Sequence, residues 1–118
     1  MKVTFQYFKG CPNSAETLKH LEQLAFEQKI KTDELEEIEV PDLDSAEKSL
    51  FQGSPTILID GIDIYTNQKP TGFNYSCRVY DFDGKRTGII PKEYIEMKLR
   101  ELRDWNIVHM VMDQRIPE

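Results

Sequence analysis

The hydrophobic and polar positions in the first half of the chain predict alternating strands and helices. Residues 3–8 (VTFQYF) are β-branched and aromatic, which predicts a strand. In residues 12–29 apolar side chains recur at helical spacing, and Pro12 suits the first helical turn, where no N–H donor is needed. Residues 34–40 (ELEEIEV) predict a second strand, and residues 43–51 predict a short helix with apolar side chains on one face.

The second half begins with a predicted hairpin. Residues 57–59 form a short apolar strand, and the dipeptide Asp60-Gly61 predicts a tight turn into a returning strand at residues 62–65. Residues 66–76 are predicted to be irregular, because turn-forming residues interrupt every periodic pattern there. A last helix is predicted at residues 91–103.

The tail at residues 104–118 carries a cluster of apolar side chains. They are Trp105, Ile107, Val108, Met110, Val111 and Met112. Their spacing leaves three alternatives open: an extra strand at the edge of the sheet, a helix packed on the domain, or a contact with a second copy. We therefore expect one domain at residues 1–103 and a C-terminal extension that packs on it or on the partner subunit of a homodimer.

The order of these elements, β-α-β-α-β-β-α, predicts an α/β fold. The first two strands are joined by a helix and should be parallel, and such a crossover is right-handed. The later pair is a hairpin and should be antiparallel. One mixed four-stranded sheet with helices on both faces satisfies this pattern.

Composition and charge narrow the possible functions. The chain has 118 residues and a net charge of −6, so it lacks the excess of basic side chains that binding to nucleic acid requires. No apolar run approaches the roughly 20 residues needed to cross a bilayer, and the start of the chain lacks a signal-peptide pattern. We therefore expect a cytoplasmic protein without nucleic-acid or membrane partners. No nucleotide or flavin fingerprint is present in the sequence, and no cofactor is expected.

Four segments carry a resemblance to a known family. They are GCPN at residues 10–13, GSPTILIDG at 53–61, SCRVY at 76–80 and GIIP at 88–91. With the order of elements, they resemble the thioredoxin superfamily, and more narrowly small prokaryotic thioredoxin-family proteins that are sometimes grouped near the alkylmercury lyases. The resemblance covers residues 1–103 and implies a thioredoxin-like fold. It also implies that Pro55 is a cis proline facing a reactive Cys11, and that Ser54, Pro55 and Thr56, with Pro12, contact the substrate.

Cys11 is the expected nucleophile. It precedes the first helix, where the free N–H groups and the helix dipole favour a thiolate and lower the thiol pKa. The C-x-x-C pair of the superfamily reads Cys11-Pro12-Asn13-Ser14 here, and the hydroxyl of Ser14 is expected to donate to the thiolate. The expected function is thiol–disulfide exchange through a mixed disulfide with a protein or a low-molecular-weight thiol such as glutathione.

Cys77 leaves several alternatives open, because it lies in a segment whose path the sequence does not define. It could resolve a mixed disulfide on Cys11, it could bind a soft metal ion together with Cys11, or it could be a buried and inert thiol. The buried thiol is the favoured interpretation. The alternative function is accordingly a non-catalytic module that binds a soft metal ion or an extended peptide.

Two further activities are not expected from the residues present. Neither cysteine has an acidic residue beside it, so cleavage of a carbon–mercury bond is not expected. His20 and His109 show no ligand spacing with the cysteines, so the spacing predicts no zinc site, and His20 is expected to face solvent.

Overall fold

Strands and helices alternate in the first half of the chain, and short strands follow in the second half. The computed structural model describes the backbone of residues 1–115 and the side chains of residues 1–104. The elements in chain order are β1 (Val3–Tyr7), α1 (Pro12–Phe26), β2 (Leu35–Glu39), α2 (Leu43–Ser49), β3 (Gln52–Ser54), β4 (Thr56–Ile59), β5 (Ile62–Asp63), β6 (Asn74–Cys77), β7 (Tyr80–Phe82), β8 (Lys85–Thr87) and α3 (Lys92–Arg115). Within the described residues, three α-helices and a mixed four-stranded sheet confirm the predicted α/β class.

The central sheet has the strand order β2-β1-β4-β5. β1 runs parallel to β2, as the helix between them predicts, and antiparallel to β4. β4 and β5 form the predicted hairpin. The register of β1 and β4 places Val3 opposite Ile59 and Phe5 opposite Ile57, so these four apolar side chains share one face of the sheet.

The main core joins this face of the sheet to α1 and α3. Its buried members are Val3, Phe5, Leu21, Leu24, Ile30, Ile57, Ile59, Ile64, Tyr80, Ile90, Ile95 and Leu99. α2 packs in a second, smaller cluster, where Val40, Ala46 and Phe51 are buried and contact Phe8 and Tyr75. The second cluster connects α2 and β6 to the chain just after β1.

The first two helices end earlier than predicted. α1 ends at Phe26 and not at residue 29, and Gln28 beyond it takes a left-handed φ of 63°. α2 ends at Ser49 and not at residue 51, because Leu50 adopts a left-handed φ of 55°. The turn at Leu50 directs the following residue, Phe51, into the second cluster.

β6 lies partly in the segment predicted to be irregular. It pairs in parallel with β3, with Gln52 opposite Asn74 and Ser54 opposite Cys77. Such short strands contain too few alternating positions to be recognised, and their pairing joins residues far apart along the chain.

β5 ends at Asp63, two residues before the predicted end at residue 65. The Asp63 carboxylate accepts the N–H of Tyr65 at 2.9 Å, and this hydrogen bond turns the chain.

α3 extends well beyond its predicted end at residue 103. The helix is continuous from Lys92 to Arg115, so the extra-strand alternative is wrong for residues 104–115, and the helical alternative agrees with the backbone. The side chains of residues 105–115 and all of residues 116–118 lie outside the described part of the chain, so the predicted packing of the tail and the homodimer remain predictions. Among the described residues, every helix is too short or too polar to span a bilayer.

The segment at residues 88–90 runs along α1 before α3 begins. The fully buried Thr17 hydroxyl accepts the N–H of Ile90 at 3.3 Å and donates to the Asn13 carbonyl at 3.0 Å. Nδ1 of His20 lies 2.8 Å from the Ile90 carbonyl, to which it donates. His20 is therefore turned toward the protein, and the prediction that it faces solvent is wrong. These bonds attach the beginning of α3 to α1.

Thr17→Val is expected to lower the free energy of unfolding by about 1–3 kcal/mol. Valine keeps the shape of threonine but leaves the buried N–H of Ile90 without its acceptor. Denaturant unfolding followed by circular dichroism measures the loss. Thr71→Val, at an exposed position, is the matched control and should change stability by less than about 0.5 kcal/mol. Equal effects of the two substitutions would contradict the role given to the Thr17 hydroxyl.

Candidate functional site

Cys11 lies at the junction of β1 and α1. It is the N-cap residue of α1, its backbone is extended, and Pro12 occupies the first helical position as predicted. Only 4% of the residue is exposed. As a thiol, it donates to the Ser54 carbonyl at 3.5 Å. The junction therefore holds the sulfur in a nearly enclosed position.

Ser54 joins the three chain segments that surround Cys11. Its side chain is fully buried, and its hydroxyl oxygen accepts the N–H of Phe8 at 3.3 Å, at the end of β1. Its carbonyl accepts the N–H of Arg78 at 2.8 Å, just after β6, in addition to the Cys11 thiol. The structure thus brings Ser54, one of the predicted site residues, directly beside Cys11.

The other predicted contact residues occupy different environments. The Ser54–Pro55 peptide bond is cis, and Pro55 and Thr56 are buried. The Thr56 hydroxyl is used inside the fold, since it donates to the Gly53 carbonyl at 2.6 Å and accepts from Arg78 at 3.1 Å. Pro12, in contrast, is exposed. Contact of these residues with a substrate remains a prediction.

Cys77 lies in contact with Cys11 although the two are distant along the chain. It ends β6 opposite Ser54, and its Sγ is 3.4 Å from Sγ of Cys11. Both cysteines are thiols. Cys77 is exposed, so the favoured interpretation of it as a buried thiol is wrong. The fold therefore assembles two sulfurs in contact, one buried and one open to solvent.

Gly53 allows β6 to lie this close to β3. The register shifts at this point, so β6 has one more residue than β3 between the two paired positions. Gly53 has a φ of +110°, and a Cβ here would lie 3.1 Å from the Ser76 carbonyl oxygen and 3.1 Å from Cβ of Arg78. Both separations are shorter than ordinary van der Waals contact. A larger residue at position 53 would therefore push β6, and Cys77 with it, away from Cys11.

Arg78 anchors the chain directly after Cys77. Its Nη1 lies 2.8 Å from Oδ2 of Asp63, whose side chain is 1% exposed. The guanidinium also lies over the rings of Tyr65 and Tyr80, at 5.5 and 4.8 Å from their centroids. Because loss of either partner would leave an uncompensated charge inside the protein, the pair fixes the position of this segment.

The two sulfurs have opposite pKa shifts. Burial raises the pKa of Cys11, but hydrogen bonds from the Ser54 side chain, from Cys77 and from the backbone N–H groups of Asn13 and Ser14 outweigh burial and hold that pKa below its ordinary value. The pKa of Cys77 is raised, chiefly because its thiol proton is shared with Cys11, and also by burial and by the charge of Cys11. Cys11 therefore loses its proton first, and Cys77 donates to the resulting thiolate.

The Ser14 hydroxyl does not make the predicted bond to the sulfur. It donates to the Cys11 carbonyl at 2.8 Å, the short-range bond that a serine in a first helical turn readily makes. The Ser54 side chain, which had been expected to contact the substrate, instead helps to hold the pKa of Cys11 below its ordinary value, and the Ser54 carbonyl accepts from the Cys11 thiol at 3.5 Å. The backbone N–H of Ser14 contributes to the lowered pKa of Cys11, and it also donates to the Cys11 carbonyl at 3.3 Å.

Three supporting residues were not identified from the sequence. Arg78 is adjacent to Cys77 within the SCRVY segment, and that adjacency was a usable signal. Gly53 opens the GSPT segment, but its close approach to β6 depends on a pairing that the sequence did not reveal. Asp63 reads as part of a hairpin strand, and nothing in the local pattern indicates that it pairs with a distant arginine.

The environment of the sulfurs limits which metal ions they could hold. Within the described residues, no group of three or more His, Cys, Asp or Glu side chains is arranged to hold a metal ion. Two thiolates alone suit a soft ion of low coordination number better than they suit tetrahedral zinc.

In comparisons with known proteins, the chain matches no family model, no curated protein and no solved structure.

Gly53→Ala is expected to slow closure of a Cys11–Cys77 disulfide by about ten- to a hundredfold, because the added methyl group displaces β6. Mass spectrometry of samples quenched at intervals during diamide oxidation measures the rate, since closure removes two hydrogen atoms. Gly61→Ala is the matched control: its φ is +83°, but a Cβ there meets no atom within 4 Å. Equal slowing in both variants would show that general backbone strain, and not the position of β6, controls closure.

Removing the donor on Cys77 is expected to raise the pKa of Cys11. Cys77→Ala deletes the hydrogen bond to the thiolate, whereas Cys77→Ser keeps a hydroxyl at that position. The ultraviolet absorbance of the thiolate, followed as a function of pH, should therefore give a higher Cys11 pKa in the alanine variant. Identical pKa values in the two variants would contradict the bond from Cys77.

The lowered pKa of Cys11 also determines how the stability of the fold depends on pH. The pKa of the thiol in the unfolded chain is about 8.5, above the folded-state pKa of Cys11, so the unfolded chain binds more protons between the two values. The contribution of Cys11 to stability is thus complete above the unfolded pKa and is lost as the pH falls through the folded pKa. This contribution should be smaller in Cys77→Ala than in Cys77→Ser.

Proposed function

We propose that this chain is a thioredoxin-like thiol–disulfide oxidoreductase that uses Cys11 and Cys77 as its redox pair. The observation that carries the proposal is the contact of the two sulfurs at 3.4 Å. A disulfide bond is about 2.05 Å long, so closure requires the sulfurs to approach by only about 1.3 Å more. The pair takes the place of the C-x-x-C dithiol that the CPNS segment lacks.

The topology of the sheet supports the thioredoxin-like assignment. The order β2-β1-β4-β5, with β1 parallel to β2 and antiparallel to β4, follows the β-α-β-α-β-β-α plan on which the resemblance rests. The reactive cysteine lies between β1 and α1, and the Ser54–Pro55 segment lies beside it. β3, β6, β7 and β8 are additions to this plan, and one of them carries Cys77.

The reaction is an exchange of two electrons between dithiols and disulfides. In one direction the two protein thiols reduce a substrate disulfide, giving two substrate thiols and the Cys11–Cys77 disulfide. In the other direction the protein disulfide oxidises two substrate thiols and returns to the dithiol. The substrate class is therefore a protein or low-molecular-weight thiol, or its disulfide. The compartment we propose is the cytoplasm, where such thiols keep the pair reduced.

Incubation of the reduced protein with glutathione disulfide tests the proposal. The expected products are the intramolecular disulfide and two molecules of reduced glutathione for each protein, measured by intact mass and by thiol release. Each single-cysteine variant, Cys11→Ser or Cys77→Ser, is expected to stop at one glutathione on its remaining cysteine, because the second thiol is missing. A wild-type protein that keeps both thiols, or that stops at a mixed disulfide, would contradict the redox pair.

The same two sulfurs favour a second candidate, a non-catalytic module that holds a soft metal ion. The thiolate of Cys11 and the exposed thiol of Cys77 are ligands of the type that copper(I) or mercury prefers. Copper(I) bound one to one, with loss of binding in each single cysteine variant, together with an absence of exchange with glutathione disulfide, would favour the module over the oxidoreductase.

A further inference from the structure

We propose that Cys77, and not Cys11, is the sulfur that exchanges with the substrate, and that Cys11 is the buried partner that leaves and returns. This assignment rests on the proposed oxidoreductase function and specifies its order of events. It reverses the role expected for the cysteine between the first strand and the first helix. The observation behind it is the contrast between an exposed Cys77 and a Cys11 that is 4% exposed, with their sulfurs in contact.

Access to the sulfurs is the first step of the argument. A thiolate attacks a disulfide in line with the bond that breaks, from the side opposite the leaving sulfur. Attack on Cys77 in the closed pair comes from its solvent side, with Cys11 behind it as the leaving group. Attack on Cys11 would have to come from the side away from Cys77, and only 4% of Cys11 is exposed to solvent.

The environment of Cys11 also makes it the better leaving group. A thiol with a lower pKa leaves faster in disulfide exchange. The Ser54 hydroxyl and the helix N–H groups stabilise negative charge on Cys11, and the pKa of that thiol is lowered, whereas the pKa of Cys77 is raised. Cleavage that leaves the charge on Cys11 and the new bond on Cys77 is therefore favoured by charge stabilisation as well as by access.

The steps balance without another reactant. A substrate thiolate attacks Cys77 of the protein disulfide, the Cys11–Cys77 bond breaks, and its electron pair stays on Cys11 as a thiolate. A second substrate thiolate attacks the substrate sulfur bound to Cys77, forms the substrate disulfide and releases Cys77 as a thiolate, which takes up a proton. The reverse sequence reduces a substrate disulfide, with Cys11 attacking Cys77 to release the substrate.

Anchoring of the segment keeps Cys77 at this position during exchange. Cys77 is held by its pairing with Ser54 on one strand and by the Arg78–Asp63 pair directly after it. The side chain of Arg78 is directed into the protein, while Val79 beyond it is 66% exposed. The exposed thiol is therefore presented on a fixed backbone with open surface beside it.

Location of the mixed disulfide in the wild-type chain tests the assignment. The oxidised protein is mixed with reduced glutathione, and free thiols are blocked with N-ethylmaleimide at short times before peptide mapping. The expected result is glutathione on Cys77 and maleimide on Cys11. Glutathione on Cys11 and maleimide on Cys77 would overturn the assignment while leaving the oxidoreductase function in place. Failure of the wild-type protein to form the Cys11–Cys77 disulfide, or of the oxidised protein to exchange with glutathione, would overturn the proposed function, and this assignment with it.

Single-cysteine variants give a second measurement that does not depend on a short-lived intermediate. Cys11→Ser leaves only Cys77, and Cys77→Ser leaves only Cys11 under a side chain of similar size. Each variant reacts with glutathione disulfide and with the smaller hydroxyethyl disulfide. We expect the rate of the Cys77 thiol to change little with reagent size, and the rate of Cys11 to fall by about tenfold or more with the larger reagent. The opposite dependence on size would overturn the assignment.

Discussion

The pairing of Ser54 with Cys77 is the contact on which the rest of the site depends. The Ser54 carbonyl accepts from Arg78 and from Cys11, and its hydroxyl oxygen accepts from Phe8. A buried polar group that loses its partner costs about 1–3 kcal/mol. Since these bonds share one residue, the end of β1, the beginning of α1 and the end of β6 can satisfy them together only in one arrangement. That arrangement is the one that brings the sulfurs into contact.

The buried Arg78–Asp63 pair fixes the position of the chain after Cys77 more than it adds to the net stability of the fold. Desolvation of two charges offsets most of their attraction, so such a pair adds little net stability, whereas loss of one partner costs about 3–5 kcal/mol. The pair therefore penalises any displacement of the chain after Cys77. The Tyr80 hydroxyl donates to the Pro55 carbonyl, and burial raises the pKa of Tyr80, which keeps this donor protonated. The first interaction fixes the chain directly after Cys77, and the second joins that chain to the segment directly after Ser54.

The sequence was informative where structure depends on near neighbours. β1, α1, β2 and the hairpin of β4 and β5 follow from periodicity and turn residues, and the position of Cys11 at the start of α1 follows from Pro12. The pairing of β3 with β6 could not be predicted, because it depends on the close approach that Gly53 permits. The hydrogen-bond partner of the Cys11 sulfur was misassigned for the same reason: Ser14 is near Cys11 in sequence, whereas the Ser54 carbonyl lies beside the sulfur only after folding.

The proposed redox pair joins residues that are distant in sequence, so closure of its disulfide would be coupled to folding more strongly than closure of a pair within one helical turn. A Cys11–Cys77 disulfide spans a sequence separation of 66 residues. The chain-entropy model gives such a loop about 4 kcal/mol of stabilisation against the unfolded chain, compared with about 2 kcal/mol for a loop of four residues. The sulfurs meet only while β6 is docked on β3, so docking controls closure of the disulfide. By linkage, closure of the disulfide must stabilise docking of β6 by the same free energy by which docking favours closure. Oxidation of this proposed pair and packing of the segment that carries Cys77 are thus linked equilibria, and each one favours the other.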